Sequence, residues 1–178
     1  MLLASLILAA SPALQASPAP SSRFFTPADH EVLSKRAKRE CGYASPQEIE
    51  PLALAEREKI LNCFVAAAVK DGPSLMPRTI ETGATIVSVG QFRTFLTMNV
   101  QLAPDHPRAV AVEGTSVPFD DTLANLTCRD RWLGGMLDAG MDGNTQAGTI
   151  IIYYLRDLKG AIIRISAIGQ CHGGKRAE

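Results

Sequence analysis

The stretch LTCRDRWLGGMLDAGMDGN, Leu126 to Asn144, holds the densest set of chemically capable residues in this 178-residue chain. It contains a cysteine, the only tryptophan and three aspartates. Three chemistries fit such residues. The first is calcium ligation, because Asp138, Gly140 and Asp142-Gly143 imitate the start of a calcium loop. That loop needs oxygen ligands at alternating positions and a bidentate glutamate at its end. Gly140 brings no side-chain oxygen, and Thr149 stands where the glutamate belongs. A helix ending at Gly140, then a turn at Asp142-Gly143, explains the same letters. The second is a nucleophilic thiolate at Cys128, which requires a nearby base. The chain has only three histidines: His30 in a leader, His106 in a proline-flanked loop, and His172 beside Cys171. The third is the sequon Asn125-Leu126-Thr127, relevant only in a host that glycosylates.

Outside this stretch the candidates are sparse. Glu81 and Asp157 could form a carboxylate pair, although solvated strand ends explain both. Glycine-rich phosphate loops, His-Glu-x-x-His and Gly-x-Ser-x-Gly are absent from the sequence. No catalytic, cofactor or metal site is therefore expected. Basic and acidic residues number 18 each, so no broad field attracts nucleic acid or an anionic membrane. The one basic cluster, Ser34 to Glu40, reads as a solvated helix face.

The four cysteines are Cys41, Cys63, Cys128 and Cys171. An even count in an exported chain points to disulfides. Zinc would need closely spaced pairs, and no two of these cysteines are close in sequence.

These residues need elements to position them. Residues 1–16 form an apolar stretch followed by small residues, read as a secretory signal cut after Ala16. The apolar run is too short to span a bilayer, and no later run is long enough. Residues 17–40 are read as a flexible leader, residues 41–171 as one α+β domain, and residues 172–178 as a tail. Ser45-Pro46-Gln47-Glu48 has capping-box spacing, but Pro51 moves the start of the main helix to about Glu50 or Pro51. Ala53, Ile60, Leu61, Phe64, Val65 and Ala68 give that helix an apolar stripe. Asp71-Gly72-Pro73 is a stop signal.

The period then becomes two. Ile80 to Val89 reads as a strand, Gly90-Gln91 as a turn, and Phe95 to Leu102 as a half-buried strand. A short strand is expected over Ala109 to Val112. A second helical region begins near Asp120 or Asp121 and ends at Gly140, with a kink or close packing at Gly134-Gly135. Thr149 to Leu155 lacks alternation, which predicts cover on both faces. Asp157 to Gly160 turns the chain into a partner strand over Ala161 to Ile168. The expected fold is α+β, with two helical regions on a four-stranded antiparallel sheet in the order α-β-β-α-β-β. Its concave face is where a small ligand would sit, lined by Met98 and Tyr153. Core packing is the simpler role for both.

Several of these residues together resemble small exported bacterial proteins of unknown function with a cystatin-like helix-plus-sheet appearance. Pro77, Ile80, Glu81, Ile86 and Ser88 carry the first part of the likeness. Cys128, Leu133, Leu137 and Gly140 carry the second, followed by Tyr154, Asp157 and Gly160 in a hairpin and by Cys171. Glu81 replaces the more usual aspartate, and Ala84 stands where threonine is common. The resemblance implies an envelope location and a disulfide from the second helix to the last strand.

Four cysteines allow three pairings. Topology favours Cys41–Cys63, across the first helix, and Cys128–Cys171, in line with the resemblance. The functional expectation is an exported, periplasmic or secreted module without catalysis, acting through an envelope protein or a small ligand. The alternatives are a small cup-shaped hydrolase or isomerase using Asp157, His106 or His172, and an accessory factor in envelope assembly or secretion.

Overall fold

A computed structural model describes residues 24–106, 118–142, 145–146 and 149–171. The signal, the strand expected over Ala109 to Val112, and His172 lie outside the described residues.

The first helix, α1 (Pro27–Cys41), occupies much of the segment read as a leader. That reading needs correction. Thr26 and Asp29 form a capping box: Thr26 Oγ1 accepts from the Asp29 N–H at 3.2 Å, and Asp29 Oδ2 accepts from the Thr26 N–H at 2.7 Å. Pro27 stands at the first helical position, where its missing N–H costs nothing. Charged side chains hide the helix in the sequence, because its only buried residues are Leu33 and Ala37. Phe24 and Phe25, just ahead of it, are core residues.

A 3-10 turn (Pro46–Ile49) follows, and then α2 (Leu54–Leu75). The Ser45 side chain makes no capping bond. Helix α2 begins later than expected and continues past Asp71-Gly72-Pro73. Tertiary contacts override that stop signal. Arg36 on α1 holds the buried Asp71 carboxylate through Nε at 2.6 Å, and a Cβ on Gly72 would lie 3.2 Å from Val89. Leu61, Phe64, Val65 and Ala68 form its buried stripe. The basic cluster of α1 is knitted into ion pairs, including Lys35–Glu31 and Arg36–Glu40.

The expected strand Ile80 to Val89 is two strands, β1 (Arg78–Glu81) and β2 (Ala84–Phe92). They are divided by a turn in which Gly83 has φ +78°. The next turn falls after Phe92 rather than at Gly90-Gln91, and Arg93 has φ +56° there. Gly90 instead lets β3 (Phe95–Leu102) approach, since a Cβ would sit 2.9 Å from Thr97 Oγ1.

The helical region read as one is two helices, α3 (Pro118–Arg129) and α4 (Arg131–Ala139). The break falls at Asp130, the N-cap of α4, and not at Gly134-Gly135. Those glycines serve close packing. A Cβ on Gly134 would lie 2.7 Å from the Cys128 carbonyl oxygen, a backbone atom that cannot swing aside. Gly134→Ala gains about 1 kcal/mol of helix propensity against an overpacking cost of about 1–3 kcal/mol. A lower urea midpoint is therefore expected, and an unchanged midpoint would contradict the packing.

A two-residue pair, β4 (Met141–Asp142) with β5 (Thr145–Gln146), precedes β6 (Ile151–Arg156) and β7 (Ile162–Ile168). The main sheet has five strands in the order β1-β2-β3-β6-β7. It is mixed, not antiparallel: β3 and β6 run parallel, with Leu96 opposite Ile151 and Gln101 opposite Arg156. The long segment between them, holding α3 and α4, makes the crossover that parallel neighbours require. Helix α2 packs on β2 and β3, and α1 packs on α2. Strand β6 does alternate, with Ile151, Tyr153 and Leu155 buried and the residues between them half-buried. Among the described residues, helices cover one sheet face and leave the other open. There Ile162, Ile163 and Ile165 of the edge strand β7 are 48%, 39% and 57% exposed.

Disulfides join Cys41 to Cys63 and Cys128 to Cys171. The first ties the end of α1 to the middle of α2. The second ties the end of α3 to the chain beyond β7.

Candidate functional site

The opening stretch contributes to a site through Asp130, Arg131 and Trp132. Asp130 is almost wholly buried, and its carboxylate accepts from four groups. Oδ1 caps α4 by accepting from the Trp132 N–H at 2.9 Å and the Leu133 N–H at 3.0 Å. Oδ2 accepts from the Phe25 N–H at 2.9 Å and faces His30 Nε2 at 3.1 Å. The His30 proton must lie on Nε2 to satisfy this carboxylate, so neutral His30 presents Nδ1 as an acceptor. One side chain thus fixes the start of α4, the chain entering α1, and the orientation of an imidazole.

Above this network a cleft of about 420 Å³ opens between α1, the 3-10 turn and α4. That volume falls within the range of small-molecule sites. Helix α1 lines it with His30, Glu31 and Ser34. Lys35 bonds to Glu31 and holds its carboxyl below the usual carboxylate range. The 3-10 wall brings Gln47 and Glu48, and α4 brings Arg131 and Trp132. Gln47 Nε2 donates to the Arg131 carbonyl at 3.0 Å, so these two walls meet within one hydrogen bond.

Among the described residues, two polar atoms of the lining residues have no hydrogen-bond partner, Trp132 Nε1 and Gln47 Oε1, and both are buried beneath the surface of the cleft. Native side chains seldom leave such atoms unpaired, because each costs about 1–3 kcal/mol. The Trp132 ring is 2% exposed and packs against Phe64 at 5.3 Å between centroids, so it is a fixed wall.

The residues singled out from sequence lie elsewhere. Met98 and Tyr153 are fully buried in the core, under the helices, and neither lines the cleft. The Tyr153 hydroxyl meets Thr127 Oγ1 at 2.6 Å, and burial pushes its phenol well above the usual tyrosine range. Glu81 does not pair with Asp157. Its Oε1 meets His106 Nε2 at 2.8 Å, and that imidazole is buried. Asp157 Oδ1 accepts from the Lys159 and Ala161 N–H groups, closing the β6–β7 turn. Asn125 is exposed on α3. Asp138 ends in α4 rather than a calcium loop. Among the described residues, no group of three or more His, Cys, Asp and Glu side chains is placed to hold a metal ion.

Sequence reasoning missed the cleft because its residues come from three separate segments, and because His30 fell inside the supposed leader. Two signals were present. Thr26-Pro27-x-Asp29 marks a helix start, and Asp130 is a strong N-cap residue inside an otherwise helical pattern.

No protein-family model matches this chain, and no curated protein matches it. Among solved structures it is similar to a candidate secreted protein from Pseudomonas aeruginosa. Identity is 14%, and the match covers 62% of this chain and 90% of that one, with a TM-score of 0.46. A likeness at that level carries no argument about function.

Proposed function

We propose that this protein is an exported, disulfide-stapled binding module that works without a catalytic step and holds a small polar ligand in the cleft between α1, the 3-10 turn and α4. The observation that carries this reading is the cleft of about 420 Å³ itself, whose α1 and α4 walls are pinned together by the buried Asp130 carboxylate.

Other observations support it. Two residues of the enzyme alternative are committed elsewhere, Asp157 to a turn and His106 to Glu81, and the third, His172, lies outside the described residues. The Asp130–His30 pair resembles half of a nucleophilic triad, but activation requires a hydrogen bond from the nucleophile to the base. Ser34, one helical turn from His30, makes no hydrogen bond to it. Two disulfides suit an oxidising compartment, and among the described residues no helix is long and apolar enough to cross a membrane.

Export is tested by expressing the full sequence and fractionating the cells. The expected product lies outside the cytoplasm, begins at Ser17 or within a few residues of it, and has no reactive thiol. An intact Met1 in the cytoplasm with four titratable thiols would overturn the location.

A further inference from the structure

We propose that the edge of β7 is where two copies of this chain meet, antiparallel and two-fold symmetric, with Ile165 of one copy opposite Ile165 of the other. This contact is separate from the cleft, since no residue of β7 lines it.

The two edges of the main sheet are built differently. Strand β1 closes one edge with the devices that discourage further pairing. It has four residues, a charge at each end in Arg78 and Glu81, and an irregular register against β2. Strand β7 closes the other edge and lacks most of these devices. It runs for seven residues, Ile162–Ile168, without proline and with Arg164 as its single charge. Its pairing with β6 is irregular only near its start, where Leu155 faces Arg164 and Arg156 faces Ile162. Among the described residues, β6 lies on one side of β7 and no strand lies on the other. An edge strand presents a row of backbone donors and acceptors to whatever approaches it. Here that row is bordered by Ile162, Ile163 and Ile165, all exposed.

The charge pattern identifies the occupant. A nearly uncharged, isoleucine-rich strand fits a partner of the same kind, and a second β7 is one. A two-fold axis perpendicular to the sheet keeps the open faces of both copies on the same side. Facing residues must then come from the same side of the strand, which limits the axis to a residue position. An axis at Arg164 would set two arginines directly opposite each other, and like charges so placed repel. An axis at Ser166 would leave Ile163 facing Gly169, beyond the end of the strand. An axis at Ile165 pairs every residue from Ile163 to Ala167. Ile163 then faces Ala167 of the second copy, bulky against small, and Arg164 faces Ser166. Such a contact uses the same patch on both copies and closes at two. Edge pairing of strands this short belongs with small interfaces, below roughly 1,200 Å² in total. The dimer is therefore expected to exchange with monomer as concentration changes.

The test measures the mass of the mature chain from Ser17, with both disulfides formed, by sedimentation velocity from micromolar to millimolar concentration. Mass is expected to rise from one copy to two and to stop there. Ile165→Lys and Ile165→Glu each place like charges on the axis, so each alone should dimerise about tenfold more weakly or less. An equimolar mixture of the two variants opposes a lysine to a glutamate and should dimerise more strongly than either alone. At low concentration both variants should keep the parent's urea midpoint, because Ile165 is exposed; lost association is then not lost folding. A parent that stays monomeric throughout, growth beyond two copies, dimerisation unchanged in both variants, or a mixture no stronger than its components would each overturn the proposal.

Discussion

Asp130→Ala is expected to lower the unfolding free energy by about 1.5–5 kcal/mol. Removing a helix N-cap costs about 0.5–2 kcal/mol. The Phe25 N–H then stays buried without an acceptor, adding about 1–3 kcal/mol, and His30 loses the carboxylate that orients its ring. The sum is a large share of a typical stability of about 5–15 kcal/mol. Asp130→Asn should cost less, because its amide oxygen can still cap Trp132 and Leu133 while its NH₂ opposes the Phe25 N–H. Urea unfolding of both variants gives the comparison. A loss below about 1 kcal/mol for the alanine variant would show that Asp130 does not anchor the wall of the cleft.

Cys128→Ser is the second large effect. The Cys128–Cys171 bond spans a sequence separation of 43, for which the chain-entropy estimate is about 4 kcal/mol. Native disulfides typically contribute about 2–5 kcal/mol. At roughly 2–4 °C per kcal/mol for a chain of this size, the Tm should fall by about 4–20 °C. Cys171 should become titratable by a thiol reagent in the native variant. Cys41→Ser is expected to cost slightly less, since its loop spans a separation of only 22. Non-reducing peptide maps that show Cys63 linked to Cys128 would contradict the topology behind both figures.

How far the sequence discloses this molecule depends on the kind of information. Period-two alternation marks Phe95 to Leu102, and β3 occupies the same residues. The stripe Leu61, Phe64, Val65 and Ala68 marks the buried side of α2. Direction of pairing is not written in alternation, since a strand buried on one side reads alike beside a parallel or an antiparallel neighbour. Alternation alone therefore leads to an expected antiparallel sheet, whereas β3 and β6 run parallel. Helix α1 escaped notice because its surface is charged and its hold on the core is brief. The cleft was hidden for a different reason. It is lined by side chains from three segments far apart in the chain, and their meeting is a property of the folded arrangement. Within the opening stretch, Cys128, Gly134 and Gly135 are structural, while Asp130 and Trp132 belong to the site.

The central claim is that the cleft between α1, the 3-10 turn and α4 is where this protein holds a small polar molecule. Trp132 is the only tryptophan, so its fluorescence reports on that wall without a label. Titration with a collection of small polar compounds that includes amino acids and dipeptides should give a saturable change in its emission for at least one of them. Ser45→Leu, which fills the cleft from the 3-10 side, should abolish that change and leave the unfolding midpoint within about 0.5 kcal/mol of the parent. No saturable change with any compound, or an undiminished change in Ser45→Leu, would contradict the claim.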